Sequence, residues 1–193
     1  TDRLGGQLAL ATRAHLRRDL KGIVDWREAE LERLGVTLHL NAYATVETVL
    51  AEAPDIVIVA AGGYPDQGTF DGNELCLSVW DALGNPSAMA DDILVYDGTG
   101  RHPAPSVAVQ LASAGKSVTF AALDPVVAPE METHSQIIYR KRFAELGVQT
   151  LLEYEIVRVS PNGDRYDVSL THLLTGQGLV PVSYTHLTLP TKA

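Results

Sequence analysis

An α/β fold with mainly parallel sheets is the class this sequence predicts, on three observations. Strand-like runs alternate with helix-like ones along most of the chain. Residues 55–61, DIVIVAA, form an unbroken apolar, β-branched run of the kind found in strands covered on both faces. A helix end, Leu-Gly-Val and a strand follow one another twice, at residues 34–36 and 146–148.

Taken in order, residues 19–34 set Leu20, Ile23, Trp26, Leu31 and Leu34 at helical spacing, and Gly35 supplies the left-handed stop. Residues 36–40, VTLHL, read as a strand, and Thr45 caps a short helix to Glu52. The buried strand at 55–61 then ends sharply at Gly62-Gly63-Tyr64-Pro65. A second series opens with the strand DILVYD at 92–97 and passes through a Gly/Pro loop at 98–105. A helix at 106–114 follows, ended by Gly115, then a strand at 116–123, a helix at 135–146 ended by Gly147, and an extended stretch at 148–160. Asn162-Gly163 signals a hairpin into 164–170. The second Leu-Gly-Val copy has a whole strand–glycine loop–helix–strand unit before it, and the first has almost nothing. That asymmetry predicts a missing βαβ opening of about 30 residues. Two units are expected: an incomplete one at 1–75 and a fuller one at 76–178.

Composition narrows the function. A formal charge of −9 argues against nucleic acid or an anionic membrane as partner. The sequence holds no long apolar run of transmembrane length and no signal-peptide pattern at its start. Its one cysteine, Cys76, cannot form an internal disulfide and suits a reducing compartment, so a cytoplasmic location is expected. Between Leu75 and Leu77, Cys76 reads as buried filler rather than a nucleophile. The histidines lack metal-ligand spacing, and no general acid, base or nucleophile stands out. No catalytic or metal residue is therefore expected.

The glycine loops carry the remaining signal. In a doubly wound fold, ligands sit at the carboxyl ends of strands, where glycine lets backbone amides approach phosphate oxygens. RLGGQL at 3–8, AAGG at 60–63 and the stretch from Tyr96 to Ala112 all qualify. The third departs from the G-x-G-x-x-G fingerprint. Gly98 and Gly100 are present, but Pro103 and Pro105 remove amides that would face a pyrophosphate. Asp124, about twenty residues further on, is placed to hold a ribose hydroxyl. Gly98, Gly100 and Asp124 are thus candidates for binding NAD(P)H. A plain tight turn is the alternative for each loop, and a purely structural unit for the third.

The stretches DRLGGQL, IVDWREAELERLGVTLHLN and PDIVIVAAGG resemble the C-terminal flavoprotein region of the trimethylamine dehydrogenase and 2,4-dienoyl-CoA reductase group. These are old-yellow-enzyme-type oxidoreductases, and the nearest flavour is that of the N-methylproline demethylases. The resemblance runs from about Asp2 to Gly178. It implies Rossmann-like doubly wound sheets: a truncated FAD- or ADP-binding domain with an NAD(P)-binding-like domain inserted. It also implies an N-terminal TIM barrel outside this chain, carrying FMN and a [4Fe–4S] cluster, in a parent that is a candidate homo-oligomer. The chain would then be a fragment of a flavin-dependent oxidoreductase of the N-methyl amine demethylase or dienoyl-CoA reductase type. Carried over, Leu4, Gly5, Gly6 and Gln7 would border the adenosine and ribose of FAD or ADP. The backbone near Ala44 would face adenine, and Ala60, Ala61 and Gly62 the pyrophosphate side. Ala61 stands where the family turn has threonine, which removes a hydroxyl. A glutathione-reductase-like flavoprotein fragment is one alternative. A non-catalytic nucleotide-binding or structural module is the other.

The end of the chain reads differently. Residues 182–191, VSYTHLTLPT, resemble a sequencing-library adapter translated as coding sequence. Residues 179–193 are accordingly expected to be an artefactual tail, with 183–193 packing poorly and serving no function.

Overall fold

The computed structural model describes residues 2–66, 68–184 and 186–189. Helices α1 (Gly6–Ala11), α2 (Lys21–Arg33) and α3 (Val46–Ala51) come first, with a 3-10 stretch at His15–Leu20 between α1 and α2. Gly5 opens α1 at φ 102, and a Cβ there would stand 2.8 Å from that of Ala9. Thr45 caps α3 as its sequence position predicts. Its Oγ1 accepts from the Thr48 N–H at 3.2 Å, and its own N–H donates to Thr48 Oγ1 at 2.8 Å.

Sheets dominate from residue 77. Strand β1 (Leu77–Ser78) leads into α4 (Val79–Gly84), which Ser78 and Asp81 close with a capping box. Then come β2 (Asp92–Asp97), α5 (Pro103–Ser113), β3 (Ser117–Ala122), α6 (Thr133–Leu146) and β4 (Gln149–Leu152). An antiparallel meander follows, of β5 (Tyr154–Asn162), β6 (Arg165–His172) and β7 (Gly178–Tyr184), before β8 (His186–Leu189). The first sheet is parallel throughout, in the order β1-β8-β2-β3-β4. Its β2-α5-β3-α6-β4 run is the Rossmann-like α/β repeat that the sequence predicts. The hairpin closes with Asn162 opposite Arg165, and Gly163 takes φ 63 in the turn between them.

The pleat of the parallel sheet sorts the core into two. Ile93, Val95, Phe120 and Ala122 pack against Val107 and Leu111 of α5 and against Tyr139 and Phe143 of α6. The alternate residues Leu94, Tyr96 and Ala121 point the other way, onto Ile156, Val159, Val168 and Leu170 of the meander. Helices, parallel sheet and meander thus form three layers. Each fully buried side chain of this size contributes about 1.5–3 kcal/mol. Ala14 and Leu10 join the helical side of the core, so α1 sits on the sheet unit. The Arg13 guanidinium donates to the Gly84 carbonyl at 2.8 Å, and the His15 N–H to Gln110 Oε1 at 3.1 Å.

Three expectations are corrected. Residues 36–40 and 55–61 are not strands, and Val36, Leu38, Leu40, Ile56, Val57, Ile58 and Val59 are all exposed. A strand exists only as one side of a ladder, and no ladder is recorded for either run among the described residues. Helix α2 is covered only in part: Val24 packs against the Gly5 turn, while Ile23, Trp26 and Leu34 lie exposed. The stretch 148–160 divides into two strands at Glu153, whose φ of 63 breaks the extended path.

The poorly packed tail is the third correction. Strand β8 inserts between β1 and β2, pairing Ile93 with His186 and Val95 with Thr188, while Tyr184 and Thr188 are buried. The alternating Thr, Leu and Tyr residues suit a strand. The position between β1 and β2 offers backbone groups on both sides that require partners. Residues 185 and 190–193 of that expectation lie outside the described residues. Among the described residues, no helix is long and apolar enough to cross a membrane.

Candidate functional site

The structure brings some of the sequence-derived candidates together in two places. In the first, Gln7 on α1 reaches across to the second glycine turn, and its Nε2 donates to the Gly63 carbonyl at 3.2 Å. The same amide lies 3.3 Å from where a Cβ on Gly62 would stand. Gln7, next to Leu4, Gly5 and Gly6 in the chain, is thereby brought to Gly62 and Gly63, while Ala60 and Ala61 just before them are exposed and belong to an open segment rather than a buried strand. A Cβ on Gly6 or Gly63 would meet nothing within 4 Å, so bare backbone faces open space on both sides of the Gln7 bridge. Such a cradle fits a nucleotide, because a polar ligand can approach main-chain amides there without side-chain obstruction. Ala44 is exposed, in the loop before α3.

The second cluster is built on the end of β2. Asp97, almost fully buried, turns its carboxylate back onto the glycine loop that follows. Its Oδ1 accepts from the Thr99 N–H at 2.9 Å, the Thr99 hydroxyl at 3.0 Å and the Gly100 N–H at 3.0 Å. Its Oδ2 is buried with no hydrogen-bond partner among the described residues. Burial pushes this carboxyl above its ordinary range against the pull of those hydrogen bonds, and Asp124 pushes it the same way. Gly100 and Asp124 do meet, with Asp124 Oδ2 3.2 Å from the position of a Cβ on Gly100. The Asp124 carboxyl is raised too, by burial first and then by Glu130.

Between the clusters lies a cavity of about 370 Å³. Gln7, Leu10 and Arg17 line it from the front of the chain, Trp80 from α4, and Arg101 and His102 from the loop into α5. Beside it, Tyr139 shares its hydroxyl with Ser106 Oγ at 2.9 Å and with His102 Nδ1 at 2.8 Å. Burial, and then Arg17, hold the His102 imidazole below its ordinary value. Sequence reasoning missed Arg17, Trp80 and Tyr139, because they come from elements far apart in the chain and share no spacing. Asp97 had a legible signal: an acid at the end of a strand, directly before a glycine loop.

No family model matches the chain. It is 41% identical over 172 residues to "Multifunctional alkene reductase/demethylase OYE" of Caballeronia cordobensis, covering 88% of this chain and 26% of that one. It is 35% identical over 161 residues to "Probable N-methylproline demethylase" of Rhizobium meliloti (strain 1021), covering 83% and 24%. With "NADH oxidase" of Thermoanaerobacter brockii it shares 32% over 165 residues, 83% of this chain and 25% of that one. The chain thus spans about a quarter of the length of the curated relatives it matches. Among solved structures, a 2-naphthoyl-CoA reductase complex superposes with a TM-score of 0.87 at 23% identity, over 100% of this chain and 28% of the other. That likeness is one of fold.

Proposed function

We propose that this chain is a counterpart of the flavoprotein region of the N-methylproline demethylase and alkene reductase group, to whose members it is 35% and 41% identical, and that it holds FAD or ADP for a flavin-dependent oxidoreductase. One observation carries the reading: the Gln7 amide ties the Gly5-Gly6 turn to the Gly62-Gly63 turn. Two stretches of unencumbered backbone are thereby set side by side. Gly6 and Gly63 would present main-chain donors to the diphosphate, and Leu4 and the backbone near Ala44 would border the adenosine. FAD, when bound, supplies two-electron redox chemistry at its ring system. The chain's own residues hold and orient the nucleotide, and none of them is assigned a proton transfer.

The substrate chemistry belongs in this reading to an N-terminal barrel of the parent, with FMN and a [4Fe–4S] cluster. The exposed apolar runs at 36–40 and 55–59 are the seat for a strand from that longer polypeptide. Supporting this, the relatives are several times longer, and apolar faces this contiguous are seldom left bare on a monomer.

Calorimetric titration of the chain with ADP and with FAD tests the proposal. Saturable binding is expected, weakened about tenfold or more by Gln7→Ala and by Gly6→Val. A folded chain that binds neither nucleotide, or binds both without regard to Gln7, would overturn it.

A further inference from the structure

The second glycine loop does not fit the role its sequence suggests. A diphosphate needs several converging N–H donors, which glycine loops and helix N-termini ordinarily supply. Here the Thr99 and Gly100 amides, together with the Thr99 hydroxyl, are already given to Asp97 Oδ1. Pro103 opens α5, and neither it nor Pro105 has an amide hydrogen to offer. The Ser106 N–H is used within the helix, donating to the His102 carbonyl at 3.0 Å.

The loop is also covered. The Glu130 N–H donates to the Gly100 carbonyl at 3.0 Å. Pro129 lies so close that a Cβ on Gly100 would be 3.0 Å from its Cγ. Val127 and Ala128 beside it are buried. Asp124, the expected ribose partner, stands against the loop itself, so it and Asp97 present two carboxylates where a ligand would bring negative charge.

We propose that Asp97 is a built-in anion that occupies the Thr99 and Gly100 donors of this glycine loop and closes it to diphosphates. A dinucleotide such as NAD(P)H therefore does not lay its pyrophosphate on this loop. Any nicotinamide used by the parent must be held elsewhere. This conclusion does not rest on the first cluster, since it concerns only the Thr99 and Gly100 donors, the two prolines and what covers the loop.

Amide-resolved NMR of the full chain, titrated with NADH and separately with inorganic pyrophosphate, tests it. In the unmodified chain the Thr99 and Gly100 resonances should exchange slowly with solvent and show no saturable shift with either probe. A saturable shift there overturns the proposal. Asp97→Gly frees both amides and should tighten pyrophosphate binding about tenfold or more, read at those same resonances. Asp97→Asn keeps an acceptor but removes the charge, so a smaller gain is expected. A folded variant of either kind with no gain overturns the proposal, and the result in the unmodified chain decides the matter if neither folds. Nucleotide binding at the first cluster is read separately, at Gln7 and Gly63, so a failure there leaves this result intact.

Discussion

Cys76 shows how far a single residue's surroundings set its chemistry. It is buried against the meander, and burial, with a smaller push from Glu74, raises its thiol to about 12. At pH 8 only about one molecule in ten thousand would carry the thiolate. Iodoacetamide should therefore label the native chain far more slowly than the urea-unfolded one, as read by mass spectrometry. The Tyr139 hydroxyl is shared by Ser106 and His102 in the core, so Tyr139→Phe leaves both with a lost partner. About 1–3 kcal/mol of stability should disappear in urea melts. His102 adds a pH dependence of known sign. Its folded value lies below the ordinary 6.5, so the unfolded chain takes up the proton first. Stability is complete above about 6.5 and falls as the pH drops toward the folded value. His102→Gln should flatten that acid limb of the melting curve.

Among elements, the contrast lies between those with neighbours and those without. Strands β2 and β3 are paired over their whole length and nearly all buried, while 36–40 and 55–61 hold no ladder among the described residues. Hydrogen exchange should separate them cleanly: amides of 36–40 and 55–61 exchanging at near-peptide rates, those of β2 and β3 slowest of all. Phe120, fully buried and edge-on to Phe143 at 5.1 Å between centroids, anchors β3 to α6. Its truncation to alanine should cost about 3–5 kcal/mol. Strand β8 carries an opposite defect. The Thr188 hydroxyl is buried with no partner among the described residues. Thr188→Val should raise stability by about 1 kcal/mol, because it removes a polar group from a site that gives it nothing.

At the scale of the whole molecule, the last strand returns to the middle of the first sheet, between β1 and β2. A chain stopped at Gln177 would lose β7, β8 and the buried Tyr184 and Thr188, leaving β1 without its partner strand. Loss of cooperative melting is expected, measured by calorimetry against the full chain. Were residues 178–193 a passive tail, that truncation would leave the melt unchanged. The run from β2 to β4 was legible in the sequence because its signals are local: apolar runs of strand length, a helical stripe, and Gly115 and Gly147 placed where left-handed backbone is needed. The first cluster was legible residue by residue, as Gly5-Gly6-Gln7 and Gly62-Gly63, but not as a cluster. The Gln7 bridge spans fifty-six positions and leaves no periodic trace. The state of the second glycine loop was hidden for the same reason, since the segment covering it folds back from beyond β3. The sequence by itself therefore determined which segments can be helix, strand or tight turn, since each choice turns on neighbours a few residues away. Tertiary structure alone decided that 36–40 and 55–61 find no ladder among the described residues, that β8 fills the centre of the sheet and that Asp97 closes its loop. A ladder, a buried cavity and an occupied set of donors exist only when distant parts of the chain meet.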